Sequence, residues 1–124
     1  MANTITINAV AMLQREGQVK FQPLLNATGI RITQSGDAVG GSYMTATTSA
    51  ANIDVSGVTT PTLGFFENLD ATNWVALGWD DTGFVEALRI QPGAVGIVPL
   101  SPTRTWQAKS NSASVVLYYQ ITDA

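Results

Sequence analysis

From Gly64 to Ile121 the sequence GFFENLDATNWVALGWDDTGFVEALRIQPGAVGIVPLSPTRTWQAKSNSASVVLYYQI is a close succession of short extended segments broken by turn-forming residues. Leu63–Leu69, Trp74–Trp79, Phe84–Ile90, Ala94–Leu100, Thr105–Lys109 and Ser114–Thr122 are rich in β-branched and aromatic side chains, which fit a pleated, half-buried surface. Their separators are Asp70-Ala71-Thr72-Asn73, Asp80-Asp81-Thr82-Gly83, Gln91-Pro92-Gly93, Ser101-Pro102-Thr103 and Ser110-Asn111-Ser112-Ala113. Pro92-Gly93 predicts a type II turn, with proline fixing φ at the first central position and glycine accepting positive φ at the second. Because the separators are short, successive strands are expected to be antiparallel neighbours.

The N-terminal half carries a weaker version of the same pattern. Thr4–Leu13 alternates Ile5, Ile7, Ala9 and Ala11 with Thr4, Thr6, Asn8 and Val10, and Gln18–Leu25 repeats the alternation through Val19 and Phe21. Turns are expected at Gln14-Arg15-Glu16-Gly17 and at Asn26-Ala27-Thr28-Gly29, with Ile30–Thr33 as a short strand between the latter and a flexible glycine-rich loop over Gly36–Gly41. Ser42–Thr60 is rich in Thr and small residues and is expected to form irregular strands or an extended arm. No helical periodicity persists for about ten residues anywhere. The chain is therefore expected to be all-β: one domain over 1–124, an antiparallel β-sandwich or jelly roll of nine or ten strands, with 1–13 as an N-terminal arm. Val75, Leu77, Trp79, Leu88, Ile90, Val115, Leu117 and Tyr119 are the expected core.

Composition excludes several functions. The net charge is −3, and the six basic residues, Arg15, Lys20, Arg31, Arg89, Arg104 and Lys109, are scattered, so the clustered cations that nucleic-acid binding needs are missing. No apolar run reaches the length of a membrane span, and MANTITINAV lacks the basic and apolar regions of a signal peptide, which points to synthesis in the cytoplasm. Only 12% of residues are charged, about half the usual share, so the polar surface is mostly Thr, Ser, Asn and Gln.

Chemistry is correspondingly sparse. With 0 His and 0 Cys the chain has no Ser-His-Asp triad, no imidazole base and no thiolate or histidine metal site, and neither a metal nor a cofactor is expected. A carboxylate pair drawn from Glu67, Asp70, Asp80, Asp81 and Glu86 is the one hydrolytic arrangement left, and nothing in the spacing favours it. Asp80-Asp81-Thr82-Gly83 offers oxygen ligands to calcium, yet these are also the residues a hairpin turn prefers. Gly36–Ser42 lacks the lysine of a phosphate loop, and Asn26-Ala27-Thr28 matches a glycosylation sequon without a secretory signal. Trp79 is expected in the core; Trp74 and Trp106 are the better candidates for the surface, where flat rings serve interfaces or stack on sugars.

Asn68-Leu69-Asp70-Ala71-Thr72-Asn73-Trp74-Val75, then Leu88-Arg89-Ile90-Gln91-Pro92-Gly93, Trp106-Gln107-Ala108-Lys109-Ser110 and Val115-Val116-Leu117-Tyr118-Tyr119-Gln120-Ile121, resemble segments of small virion structural proteins of tailed bacteriophages. The resemblance covers the C-terminal half. It implies a β-structured, non-enzymatic particle component present in many copies: a capsid decoration (cement) protein on the capsid surface, bound to the major capsid protein, or a component of the tail or a fibre. Shells offer many threefold positions, so a homotrimer is expected. The candidate interface residues are Ile5, Ile7, Tyr43, Trp74, Trp106 and Tyr118, with 2–13 or 42–60 reaching a neighbour by strand addition. The alternative is a carbohydrate-binding sandwich on a fibre, with Trp74, Trp106 and Tyr118 or Tyr119 contacting a glycan.

Overall fold

The computed structural model of the chain describes residues 3–13, 22–34, 39–55 and 57–123. Its packing falls into two compact units, residues 1–36 and 37–123.

The first unit is an antiparallel ribbon of β1 (Asn3–Leu13) and β2 (Gln22–Gln34). The expected arm is thus one strand of a hairpin-like pair. Ile5 lies opposite Ile32 and Ile7 opposite Ile30, while Thr4, Thr6 and Asn8 are exposed, so the period-two pattern becomes two-faced backbone. The turn expected at 26–29 is corrected: β2 runs straight through it. Between the pairs Ile7↔Ile30 and Ala9↔Ala27, Asn8 alone faces Thr28 and Gly29. The turn-favouring residues therefore serve a β-bulge, which needs the same conformational tolerance as a turn. The expected turn at 14–17, residues 18–21 of the second expected strand, and residues 36–38 of the glycine-rich loop lie outside the described residues.

The second unit contains β3 (Val39–Ala46), β4 (Ala51–Asn52), β5 (Leu63–Asn68), β6 (Val75–Asp80), β7 (Phe84–Ile90), β8 (Val95–Pro99), β9 (Trp106–Ser110) and β10 (Val115–Thr122). Two four-stranded antiparallel sheets result, one ordered β3-β10-β5-β8 and the other β4-β9-β6-β7. Together they form an antiparallel β-sandwich. The six C-terminal strands fall within a residue of their expected limits. Their pairing does not follow expectation: only β6 and β7 are both consecutive and adjacent, and every other connection from β3 onward crosses to the opposite sheet. Short separators fit both geometries, and shared burial between two layers selects the crossing one.

Gly40 and Gly41 are strand and not loop. Gly41 lies opposite Gln120, and a Cβ there would sit 2.3 Å from the Tyr119 carbonyl oxygen, so glycine permits β3 to approach β10. Likewise 42–60 is built into the sandwich as the end of β3, as β4, and as the segment covering one end of the core. Pro92-Gly93 turns as expected, with Gly93 at φ 71° and the Ala94 amide donating to the Gln91 carbonyl at 3.0 Å.

One apolar cluster joins both sheets. Val115, Leu117, Tyr119 and Ile121 of β10 and Phe66 of β5 meet Val75 and Leu77 of β6, Ile90 of β7 and Trp106 and Ala108 of β9. The fully buried leucines, isoleucine and valines each contribute about 2 kcal/mol. Two expectations about tryptophan are corrected. Trp106 is in the core at 7% exposure, its indole N–H donating to the Ser101 carbonyl at 3.0 Å, whereas Trp79 is half-buried and meets it edge-on at 5.7 Å. Leu88 packs against the cluster from a half-buried position. No helix among the described residues is long and apolar enough to cross a membrane.

Candidate docking face

Alternation along each strand gives each sheet an inner and an outer face, and the two outer faces of the sandwich differ in kind. On the β4-β9-β6-β7 side, register brings Asn52, Gln107 and Lys109 beside Ala76 and Gly78, with Glu86 and Arg89 across from them. Four of these polar groups pair with one another, and Lys109 lies over the Phe84 ring. Gln107 Nε2 donates to Asn52 Oδ1 at 2.9 Å, Arg89 pairs with Glu86, and the Arg89 guanidinium lies 4.0 Å from the Trp74 ring centre. The exposed Glu86 carboxylate in turn raises the pKa of Arg89 by hydrogen bonding.

The β3-β10-β5-β8 side is built otherwise. Register sets Tyr43, Tyr118, Glu67 and Val95 in one row across the four strands, and Gly41, Gln120, Phe65 and Ile97 in the next. Thr45 and Val116 continue it. Val95 is 71% exposed and Tyr43 65%, with Ile97, Val116 and Leu69 also exposed. The Tyr43 and Tyr118 rings meet at 5.0 Å. Between Tyr118, Phe65, Glu67, Val95 and Ile97 lies a shallow depression of about 240 Å³. Glu67 is the one ionisable side chain other than the tyrosines in these rows. Four strands at about 4.8 Å spacing and five residues at about 3.3 Å give the face a projected area of roughly 300 Å². Tyr43, Val95, Ile97 and Val116 are its exposed apolar side chains, interspersed with Glu67, Gln120 and Thr45.

A hydrogen bond from the end of β5 ties this sheet to the other. Asn68, fully buried at the end of β5, donates from Nδ2 to the Asn73 carbonyl at 2.9 Å and to the Ile90 carbonyl on β7 at 3.1 Å, and its Oδ1 accepts from the Asp70 amide at 2.9 Å. Asp70 in turn accepts from the Asn73 and Thr72 amides, which hold its carboxyl below the ordinary 3.8. On the far side of the core, the Tyr119 hydroxyl donates to the Asp54 carbonyl at 2.9 Å, and burial raises its pKa above the usual phenol value.

Of the six candidate residues, the structure brings together Tyr43 and Tyr118. Ile5 and Ile7 are half-buried on β1 in the first unit, Trp74 is half-buried beneath Arg89, and Trp106 is buried in the core. Phe65, Val95, Ile97 and Val116 escaped the sequence reading. The signal for them is that β8 and β10 are apolar at both parities, Val116 and Tyr118 outward as well as Leu117 and Tyr119 inward. A strand with two apolar faces in a two-layer fold has one of them outside the core.

A second concavity lies at one end of the sandwich. It is an open cleft of about 760 Å³ lined by Asn52, Asp54, Val58, Thr59, Arg104 and Trp106 among others. Among the described residues no three acidic side chains converge to hold a metal ion, and the Asp80 carboxylate accepts the Gly83 amide within the β6–β7 turn. The chain matches no known protein family, no curated protein and no solved structure.

Proposed function

We propose that the chain is a non-enzymatic structural protein of a bacteriophage virion, a capsid decoration protein whose apolar outer sheet face docks on the major capsid protein and bridges neighbouring capsid subunits. The observation that carries this reading is the contrast between the two outer faces, one polar with four of its groups paired, the other apolar and open. An open apolar face costs solubility unless a partner covers it, and Glu67 is the one carboxylate in these rows that a docked partner has to pair. The strand order supports the same class. We read β10 between β3 and β5, with β9 between β4 and β6, as compatible with the jelly-roll form of the sandwich, an architecture used by viral capsid and lectin domains.

The mechanism is linkage. A protein that binds the assembled lattice but not its separated subunits stabilises the lattice by the free energy of that binding. The footprint is small beside the roughly 800 Å² that each partner gives to a standard interface, so each contact is modest and repetition over the shell supplies the holding strength.

The reading is tested by sedimenting the purified chain with undecorated shells of the phage that encodes it. The chain is expected to travel with the shells, and Val95→Glu, which puts a carboxylate on the exposed face, is expected to reduce occupancy at least tenfold with the fold unchanged. A chain that stays in the supernatant overturns the proposal. The second reading, a tail or fibre component that binds carbohydrate, is favoured by the cleft at Asp54 and Arg104; specific glycan-array binding lost in Arg104→Ala would establish it in place of the first.

A further inference from the structure

β3 ends its sheet. β10 pairs with it residue for residue from Val39 to Ala46, and among the described residues no strand pairs with its other side. An unpaired edge presents a row of free N–H and C=O groups, which natural sheets defend with shortness, charge, proline or bulges. The other three edges of the sandwich carry such defences. β4 has two residues. β7 has a bulge at Ala87, between the pairs Leu77↔Leu88 and Gly78↔Glu86, and the ion pair of Glu86 and Arg89. β8 has five residues and runs into Pro99. β3 has none of these: it is eight residues long, uncharged, free of proline and unbroken in register. Gly41, Ser42, Tyr43 and Thr45 along it are exposed.

We infer that β3 pairs with the β3 of a second copy, antiparallel about a two-fold axis at Tyr43, joining two four-stranded sheets into one of eight strands. An antiparallel edge is complementary to itself under a two-fold axis, so a second copy always offers a strand of matching length and register. The edge also carries no charge with which to repel an identical neighbour. Centred on Tyr43, the pairing sets Tyr43 against Tyr43, Gly41 against Thr45 and Ser42 against Met44. The tyrosine pair adds an aromatic contact on the outer face. That face then runs unbroken across both copies, doubling the footprint; this consequence rests on the docking function proposed above, whereas the pairing itself does not. The resulting oligomer is two-fold, where the resemblance implies a trimer.

Because the chain has 0 cysteines, Tyr43→Cys introduces a single thiol. Directly opposed residues of antiparallel strands have Cα atoms about 4.5–5.5 Å apart, within the span a disulfide bridges. Under mild oxidation Tyr43→Cys is expected to form a covalent dimer at least tenfold faster than Val95→Cys, whose exposed thiol lies on the opposite edge strand. By light scattering, the unmodified chain is expected to approach twice the monomer mass as its concentration rises, and Tyr43→Lys to stay monomeric with an unchanged circular dichroism spectrum. A monomer at every concentration, a trimer, or equal cross-linking of the two cysteine variants overturns the inference. Shell binding is read separately: a dimer that ignores shells keeps the pairing and removes the docking function, and a monomer that binds shells does the reverse.

Discussion

Asn68 is a polar side chain fully buried at the end of β5, and its three hydrogen bonds explain why it is tolerated there. Each buried amide or carbonyl group is costly unless paired, and Asn68 pairs its own atoms together with the amide of Asp70 and the carbonyls of Asn73 and Ile90. Asn68→Ala leaves those groups without a partner and opens a cavity, so it is expected to lower unfolding free energy by about 2–4 kcal/mol, read from urea denaturation. The Asn68-x-Asp70-x-x-Asn73 spacing is legible in the sequence as turn chemistry, since Asp and Asn side chains accept from amides two or three residues on. The bond to Ile90 is not legible, because the two residues are 22 positions apart and only packing of the sheets makes them neighbours. Trp106 illustrates the same limit: its type suits core and surface equally, and the Ser101 carbonyl waiting for its N–H decides for the core.

At the level of elements, β3 shows how a local signal changes meaning with its partner. Val39-Gly40-Gly41-Ser42 reads as loop because glycine weakens an isolated strand, yet close approach of β10 makes glycine the residue that fits at 41. Gly41→Ala is therefore expected to force the two backbones apart and to cost about 1–3 kcal/mol, measured by chemical denaturation, whereas Ala at an open strand position has no such effect. Asn26–Gly29 makes the corresponding point in the first unit, where turn-like residues form a bulge within β2. By contrast, Phe84–Ile90 matches its expected limits residue for residue, because alternation and a strong turn on each side bound it.

For the whole molecule, the division into two units has a direct consequence. The apolar cluster that joins the sheets is drawn from residues 46–121 among those described. A chain comprising residues 37–124 is therefore expected to fold unaided, giving a single cooperative unfolding transition and the near-ultraviolet circular dichroism of packed aromatic rings. Loss of that signal would show that the sandwich requires residues 1–36. The sequence by itself determined the all-β class, the strand limits of the C-terminal half and the turns between them, because each depends on residues within a few positions of one another. Tertiary structure alone decided which strands pair, that the connections cross between sheets, that Trp106 is buried, and that Phe65, Val95, Ile97, Val116 and Tyr118 share an open face. Those outcomes depend on contacts between residues far apart in the chain, and the period of two along a strand says that its faces differ without saying which one meets another layer.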